Sequence, residues 1–295
     1  MRIGLIVMLM IQQSVAWEFL GFGTETKEKE VILRTVLPMD VAYEKIEARS
    51  HLNSIREEMN LNTLLQDDLL NIAAQGHADY LVANNESSHY QVAGQTKFTG
   101  ERPVDRTLDA NYLSTHVSEN VSTQTYSAQS SIDGLFSAIY HRFGFLSLSI
   151  DEIGVGTTQE KAKTSNSAFV YVMANSAIKR LCHDRSFKGS GKYYYKICKD
   201  ETHRVSEKAF IKAQNDNKRH NPKIVVYPYD GQTEVPPVFY DESPDPLPNH
   251  DVSGFPVSVE FNDYYFKEVE LLSFKLFDSA DTDAVFTIST QTLRL

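Results

Sequence analysis

The residues best suited to chemistry in this chain are few and scattered. Cys182 and Cys198 are its only cysteines. Two such thiols can pair as a disulfide in an oxidising compartment, or join His183 in a zinc site. Without the close spacing of a zinc motif the disulfide is the expected state. Closing a loop of that length stabilises a fold by about 3 kcal/mol in the chain-entropy view. His77 falls within the apolar stripe of a helical pattern, where a packed and hydrogen-bonded imidazole is expected. His183, His203 and His220 follow no pattern and read as solvated surface groups. Asp241, Glu242, Asp245 and Asp251 offer the oxygens that Ca²⁺ takes, but not the spacing of a calcium loop. They read as a solvated, proline-rich loop. Tyr193, Tyr194 and Tyr195 read as the edge of a β-hairpin. Asn120-Val121-Ser122 fits a glycosylation sequon, which matters only at an exposed site in a glycosylating host. No motif marks a Ser or Cys nucleophile. Gly154-Val155-Gly156 lacks the rest of a dinucleotide fingerprint and sits inside a strand pattern.

The context that must position these groups begins with an export signal. Arg2 gives a positive start, residues 3–11 are an uncharged apolar run, and Ser14 and Ala16 are small residues at a cleavage position. The run is shorter than the roughly 20 residues of a membrane span. Cleavage after residue 16 is expected, with an uncleaved anchor as the alternative; either way the rest faces a secreted or periplasmic compartment. The formal charge is −10, which suits solubility and argues against a nucleic-acid partner. Hydrophobic residues make up 41% of the 295 and charged ones 23%, an ordinary globular balance with room for about two domains.

Residues 17–38 read as a leader arm. Asp40 is a good N-cap, and Val41, Ala48, Leu52, Ile55 and Met59 follow at helical spacing. A second helix is predicted over 67–82, with Leu70, Ala73, His77, Tyr80 and Leu81 on one stripe. From 84 to 125 the pattern is irregular, and a stretch that long is often functional. A third helix is predicted over 127–140 and strands over 152–158 and 168–174. In the last strand Phe169, Tyr171 and Met173 alternate with Val170 and Val172, so both faces are apolar and the strand belongs in the middle of a layered structure. The order predicts an α/β fold, a three-layer α/β/α sandwich, over 39–180. Residues 181–222 read as a hairpin and connector, helical in part. Beyond Pro222 come short β-prone runs broken by prolines. They predict a small all-β unit over 223–295, immunoglobulin-like and either complete or cut short, or a partial sheet packed on the first domain.

Four segments, in order, resemble the CAP family of cysteine-rich secretory and plant pathogenesis-related proteins. They are Leu52-Asn53-Ser54-Ile55-Arg56; Ala73 to Tyr80 followed by Ser88-His89; Glu119-Asn120-Val121; and Tyr140-His141-Arg142 with Ile153-Gly154-Val155-Gly156 and the strand after it. The last segment resembles bacterial members most, and the C-terminal part resembles an extension found on some of them. The resemblance implies a cavity lined by two histidines and usually two acids. His89 matches the first histidine, Glu119 the first acid and His141 the second histidine. The second acid is expected from the third helix, where the nearest positions are Ser137 and Ala138; Asp133 lies a turn earlier. Two neutral imidazoles, His89 and His141, suit a weakly held Zn²⁺ or similar divalent ion, released as falling pH protonates them. Glu119 could ligate, orient a histidine or accept a proton. A hydrogen-bonded network that binds nothing is the plain alternative.

Three functions follow from the resemblance. The first is an exported cleft-binding module for a lipid-like or peptide ligand. The second is a metal-dependent hydrolase using His89, Glu119 and His141. The third is a cell-envelope interaction or scaffold protein that makes its contacts through the C-terminal unit.

Overall fold

The computed structural model describes residues 38–160, 166–240, 242, 245–246 and 251–270. The expected export signal and all of the leader arm except Pro38 lie outside them, as do the β-prone runs beyond residue 270. In chain order the elements are α1 (Val41–Glu58), β1 (Leu65–Gln66), α2 (Asp68–Asn84), α3 (Pro103–Asp109), β2 (Val117–Thr123), α4 (Ala128–Ser137), α5 (Ile139–Leu146), β3 (Glu152–Gln159), β4 (Ser167–Ala174), α6 (Ser176–His183), β5 (Tyr193–Tyr194), β6 (Val205–Ser206), α7 (Glu207–Lys218), β7 (Ile224–Tyr227) and β8 (Ser258–Phe261).

The two long helices start where the sequence caps them. The Asp40 carboxylate accepts from the N–H groups of Ala42 and Tyr43, and Asp67 does the same for Leu69 and Leu70. These bonds satisfy donors that have no partner inside the helix. The central sheet runs β1-β3-β4-β2, with β1 parallel to β3 and the other pairs antiparallel. β4 is buried along its whole length, and its alternation divides the core. Phe169, Tyr171 and Met173 join α1, α4 and α5 on one face. Ala168, Val170, Val172 and Ala174 join α2 on the other. The sheet therefore lies between two helical layers, an α/β/α arrangement, because each residue step along a strand changes face.

Gly154 and Gly156 let α2 lie directly on β3. A Cβ at either position would stand 2.1 Å from a backbone carbon of α2, at Leu70 and Ala74 respectively. Their spacing of two puts both on the α2 face. The pair lies in β3, as the strand pattern indicated, and the structure gives it a packing role.

The structure departs from the sequence reading in four places. The irregular stretch 84–125 holds α3 and β2. β2 is an edge strand of mostly polar residues with one fully buried position, so it shows no alternation to read. The third helix breaks at Ala138, whose ψ of 115° is extended, and α5 starts afresh, with His141 in its first turn. Residues 176–183 form α6, so 181–183, the start of the expected hairpin and connector, are helical; Asn175 caps the helix, accepting from Ile178 N–H at 2.9 Å. Among the described residues beyond Pro222 there is no immunoglobulin-like sandwich. β7 and β8 form an antiparallel ribbon, with Val225 and Tyr227 inside the α1/α4/α5 core cluster and Tyr229 and Phe255 against it.

Cys182 and Cys198 are joined by a disulfide, which removes both from zinc chemistry. The bond ties the end of α6 to the segment that bridges back to Ser114. His183 and His220 are exposed as expected, but His203 is buried, a correction to its reading as a surface group.

Candidate functional site

β2 is the seam on which the site is built. As consecutive strand residues, Glu119 and Asn120 face opposite sides of the sheet. Glu119 pairs in register with Val172, on the α2 side, and Asn120 with Tyr171, on the α5 side. Each serves one histidine. The His89 Nδ1–H donates to Glu119 Oε1 at 3.0 Å. Asn120 Nδ2 donates to the His141 carbonyl at 2.8 Å, fixing the first turn of α5. Asn120 is 4% exposed, so the sequon is a structural asparagine and not a glycosylation site. Gly144, one turn further along α5, leaves room for it: a Cβ there would come within 3.0 Å of Asn120 Oδ1.

The two imidazoles then meet. The His89 and His141 rings are stacked, with centroids 6.2 Å apart and planes 21° from parallel. His89 is 40% exposed and His141 22%. The three expected side chains, far apart in sequence, thus come together at a solvent-accessible place.

Glu119 is 1% exposed and both its oxygens are engaged. Oε1 holds His89, and Oε2 receives Arg106 Nη2 at 2.7 Å. Arg106 also donates to the carbonyls of His89, Gly100 and Glu101. One buried cation therefore fixes the carboxylate and pins the loop that carries His89. Of the three roles open to Glu119, this geometry selects orientation: the carboxylate accepts from Nδ1–H and so defines the His89 tautomer, with Nε2 carrying the lone pair.

The second acid does not come from the third helix. Asp133 pairs with His51 Nε2 at 2.7 Å, away from the cleft. The carboxylate beside His141 belongs to Glu242, which sequence reasoning placed in a solvated loop. Its Oε1 accepts from His141 Nδ1 at 2.9 Å and from the backbone N–H groups of Tyr140 and His141. Glu242 is buried, 1% exposed at the side chain. Asp241 lies outside the described residues. Sequence reasoning also missed Arg106 and Glu242 as members of the site. Neither carries a periodic or spacing signal, since both reach it across large sequence separations.

His77 plays the packed role expected of it. Its Nε2–H donates to the Ser88 carbonyl and its Nδ1 accepts from Gln91 Nε2, each at 2.9 Å. Both ring nitrogens are occupied, so it offers nothing to a ligand. Burial, against the partial opposition of Glu119, lowers its pKa from the usual 6.5 to about 4. Its Nε2 lies 3.7 Å from Glu119 Oε1, but a neutral imidazole makes no ion pair there. The depressed pKa has a definite pH consequence. The unfolded chain takes up the proton first, so stability is full above about 6.5 and falls as pH drops toward 4. Unfolding by urea at pH 7.5 and 4.5 should show a loss of about 2–3 kcal/mol from this group. His77→Gln should flatten that slope, and equal slopes in the two proteins would assign the loss to other groups.

Among the described residues no group of three or more His, Cys, Asp and Glu side chains is arranged to hold a metal ion. His89 and His141 supply two nitrogen donors, fewer than a resident zinc takes. No helix among the described residues is long and apolar enough to cross a membrane.

The cysteine-rich secretory protein family, CAP, matches residues 49–175. No curated protein matches the chain. Three of the similar solved structures are the following. An extracellular protein containing an SCP domain from Bacillus anthracis is 20% identical, with a TM-score of 0.39; the match covers 45% of this chain and 41% of that one. An outer surface protein from Borrelia burgdorferi is 18% identical, with a TM-score of 0.40, over 47% of this chain and 96% of that one. A cysteine-rich secretory protein from Staphylococcus aureus is 15% identical, with a TM-score of 0.35, over 46% and 39%. This chain thus spans less than half the length of the first and third.

Proposed function

We propose, for a chain whose residues 49–175 are a CAP domain of the cysteine-rich secretory protein family, that it is an exported module binding an amphipathic ligand, lipid-like or peptide, in the cleft at β2. His89 and His141 are its polar contacts, and they hold a divalent metal loosely when one is present. One observation carries this reading: two partly exposed imidazoles stand side by side, each with Nδ1 on a buried carboxylate. That arrangement leaves two Nε2 lone pairs as ready acceptors for a ligand donor or a soft cation. A metal bound there would supply Lewis acidity and orientation. The chain's own contribution is to fix both tautomers and keep the rings apart from bulk water on one side only.

Two exposed aromatics support an amphipathic occupant. Tyr90 directly follows His89 and is 60% exposed, and Tyr240 lies two residues before Glu242 and is 70% exposed. Aromatic rings with one wet edge suit a ligand that is apolar along its length and polar at one end. Export is supported by the leading residues and by the disulfide.

The test is mass spectrometry of organic extracts from full-length protein purified from its own host. An amphipath should co-purify with the wild-type chain and fall at least about tenfold in His89→Ala/His141→Ala, a loss on the scale of one or two polar contacts. Equal amounts in both proteins would place the ligand elsewhere and end the cleft reading.

A further inference from the structure

We propose that Glu242 is a positioning residue of the cleft, its second orienting carboxylate, and that it completes the site together with the ribbon of β7 and β8 rather than with a neighbouring module. The binding consequence rests on the cleft reading above, whereas the positional claim does not. His141 starts the first turn of a helix whose N-cap, Ala138, has no side chain to offer its free N–H groups. Glu242 Oε1 takes that place from 101 residues away, accepting from Tyr140 N–H at 2.9 Å and His141 N–H at 3.2 Å. The same oxygen accepts from His141 Nδ1. One atom therefore holds both the backbone and the ring of the second histidine. Helix N-termini favour a carboxylate at this position.

The neighbouring residue secures the same segment. Arg142 Nη1 donates to the Pro256 carbonyl at 2.7 Å and to Ser258 Oγ at 3.1 Å. Its guanidinium lies 4.7 Å from the ring centre of Tyr227 and 5.0 Å from that of Phe255. His141 and Arg142 thus hold the C-terminal chain at two points, one at the cleft and one in the core. Arg142 is fully buried, so its grip cannot be replaced by water.

The two carboxylates match in role and differ in one respect. Glu119 has both oxygens engaged, whereas Glu242 Oε2 is buried with no hydrogen-bond partner among the described residues. A buried carboxylate oxygen left so is costly, and such groups in native proteins call for a role. Here the carboxylate's charge stands behind His141, with Oε1 holding Nδ1–H in place.

The experiment uses the full chain with ¹⁵N-labelled histidine rings. Two-bond N–H correlation spectra should find both His89 and His141 as Nδ1–H tautomers. In Glu242→Ala, His141 should move toward the Nε2–H form while His89 stays unchanged. Glu242→Gln should shift it in the same direction by less, and Asp133→Asn should change neither. A wild-type His141 in the Nε2–H form overturns the proposal whether or not a variant folds. So does a folded Glu242→Ala that keeps Nδ1–H, or one that disturbs His89 equally. Titration with Co²⁺ alone should find affinity lowered about 10–100-fold in Glu242→Ala. Wild-type protein that binds no Co²⁺ would end the metal part of the cleft reading, and the tautomer spectra would still decide Glu242.

Discussion

Arg106→Ala is expected to lower the free energy of unfolding by about 3–5 kcal/mol, because it leaves the Glu119 carboxylate buried without its cation. Both partners are 1% exposed, so water cannot take over the lost contact. The loss also frees the carbonyls of His89, Gly100 and Glu101 from their shared donor, and the loop carrying His89 should loosen with it. Denaturant unfolding of the variant gives the number. Arg102→Ala is the matched comparison. Arg102 pairs with Asp105 at 2.8 Å, but its side chain is 60% exposed, where solvent screens the pair, so its loss should change stability far less. A second comparison replaces both buried partners, Arg106→Met with Glu119→Leu, which should recover much of the loss since no charge is stranded. Arg106→Ala within about 1 kcal/mol of wild type would show that the pair is not what holds this edge of the sheet.

Gly156→Val should abolish folding, with a cost of about 4 kcal/mol or more, in the range reserved for severe core disruption. The reason is geometric. A Cβ at this position meets three backbone atoms, the Ala74 carbon at 2.1 Å, its oxygen at 2.2 Å and the Gln75 nitrogen at 2.3 Å. Backbone cannot rotate aside as a side chain can, so α2 would have to lift off β3 and expose Leu70, Ala74 and Ala78. Gly134 provides the contrast. A Cβ there meets nothing within 4 Å, and Gly134→Ala in the exposed face of α4 should stabilise by up to about 1 kcal/mol. Thermal melts of the two variants side by side separate them. Soluble, wild-type-like Gly156→Val would mean that α2 does not pack as closely as the glycines require.

Much of the frame was legible in the sequence, and the reasons are local. Asp40 and Asp67 stand immediately before amphipathic runs, and a carboxylate at that position can only cap. The two apolar faces of 168–174 announced the central strand, since a polar face would have been needed at any surface. The glycines at 154 and 156 read only as part of a strand, and the close contact they permit appeared with α2 in place. β2 was not legible because an edge strand with one buried residue has no hydrophobic period. The break between α4 and α5 was not legible either, since Ala138 carries no helix-breaking chemistry and its extended backbone is imposed by what packs around it.

The residues of the cleft divide along the same line. His89, Glu119 and His141 were singled out through a family resemblance, and the folded chain brings them together. Arg106 and Glu242 were not, because they are ordinary polar residues until the fold sets them beside a particular atom. Glu242 is the clearest case. In sequence it is one acid in a proline-rich run, and only the fold seats its carboxylate on the first turn of α5.

By itself the sequence determined the helices with good caps, the buried central strands and the pairing of two cysteines. These depend on neighbours a few residues away or on the count of a single residue type. Only the tertiary structure decided which carboxylate serves which histidine, which arginine is buried and where the C-terminal ribbon lies. Those outcomes depend on burial, and burial converts weak, solvent-screened polar groups into strong, directional ones only after distant segments have closed over them.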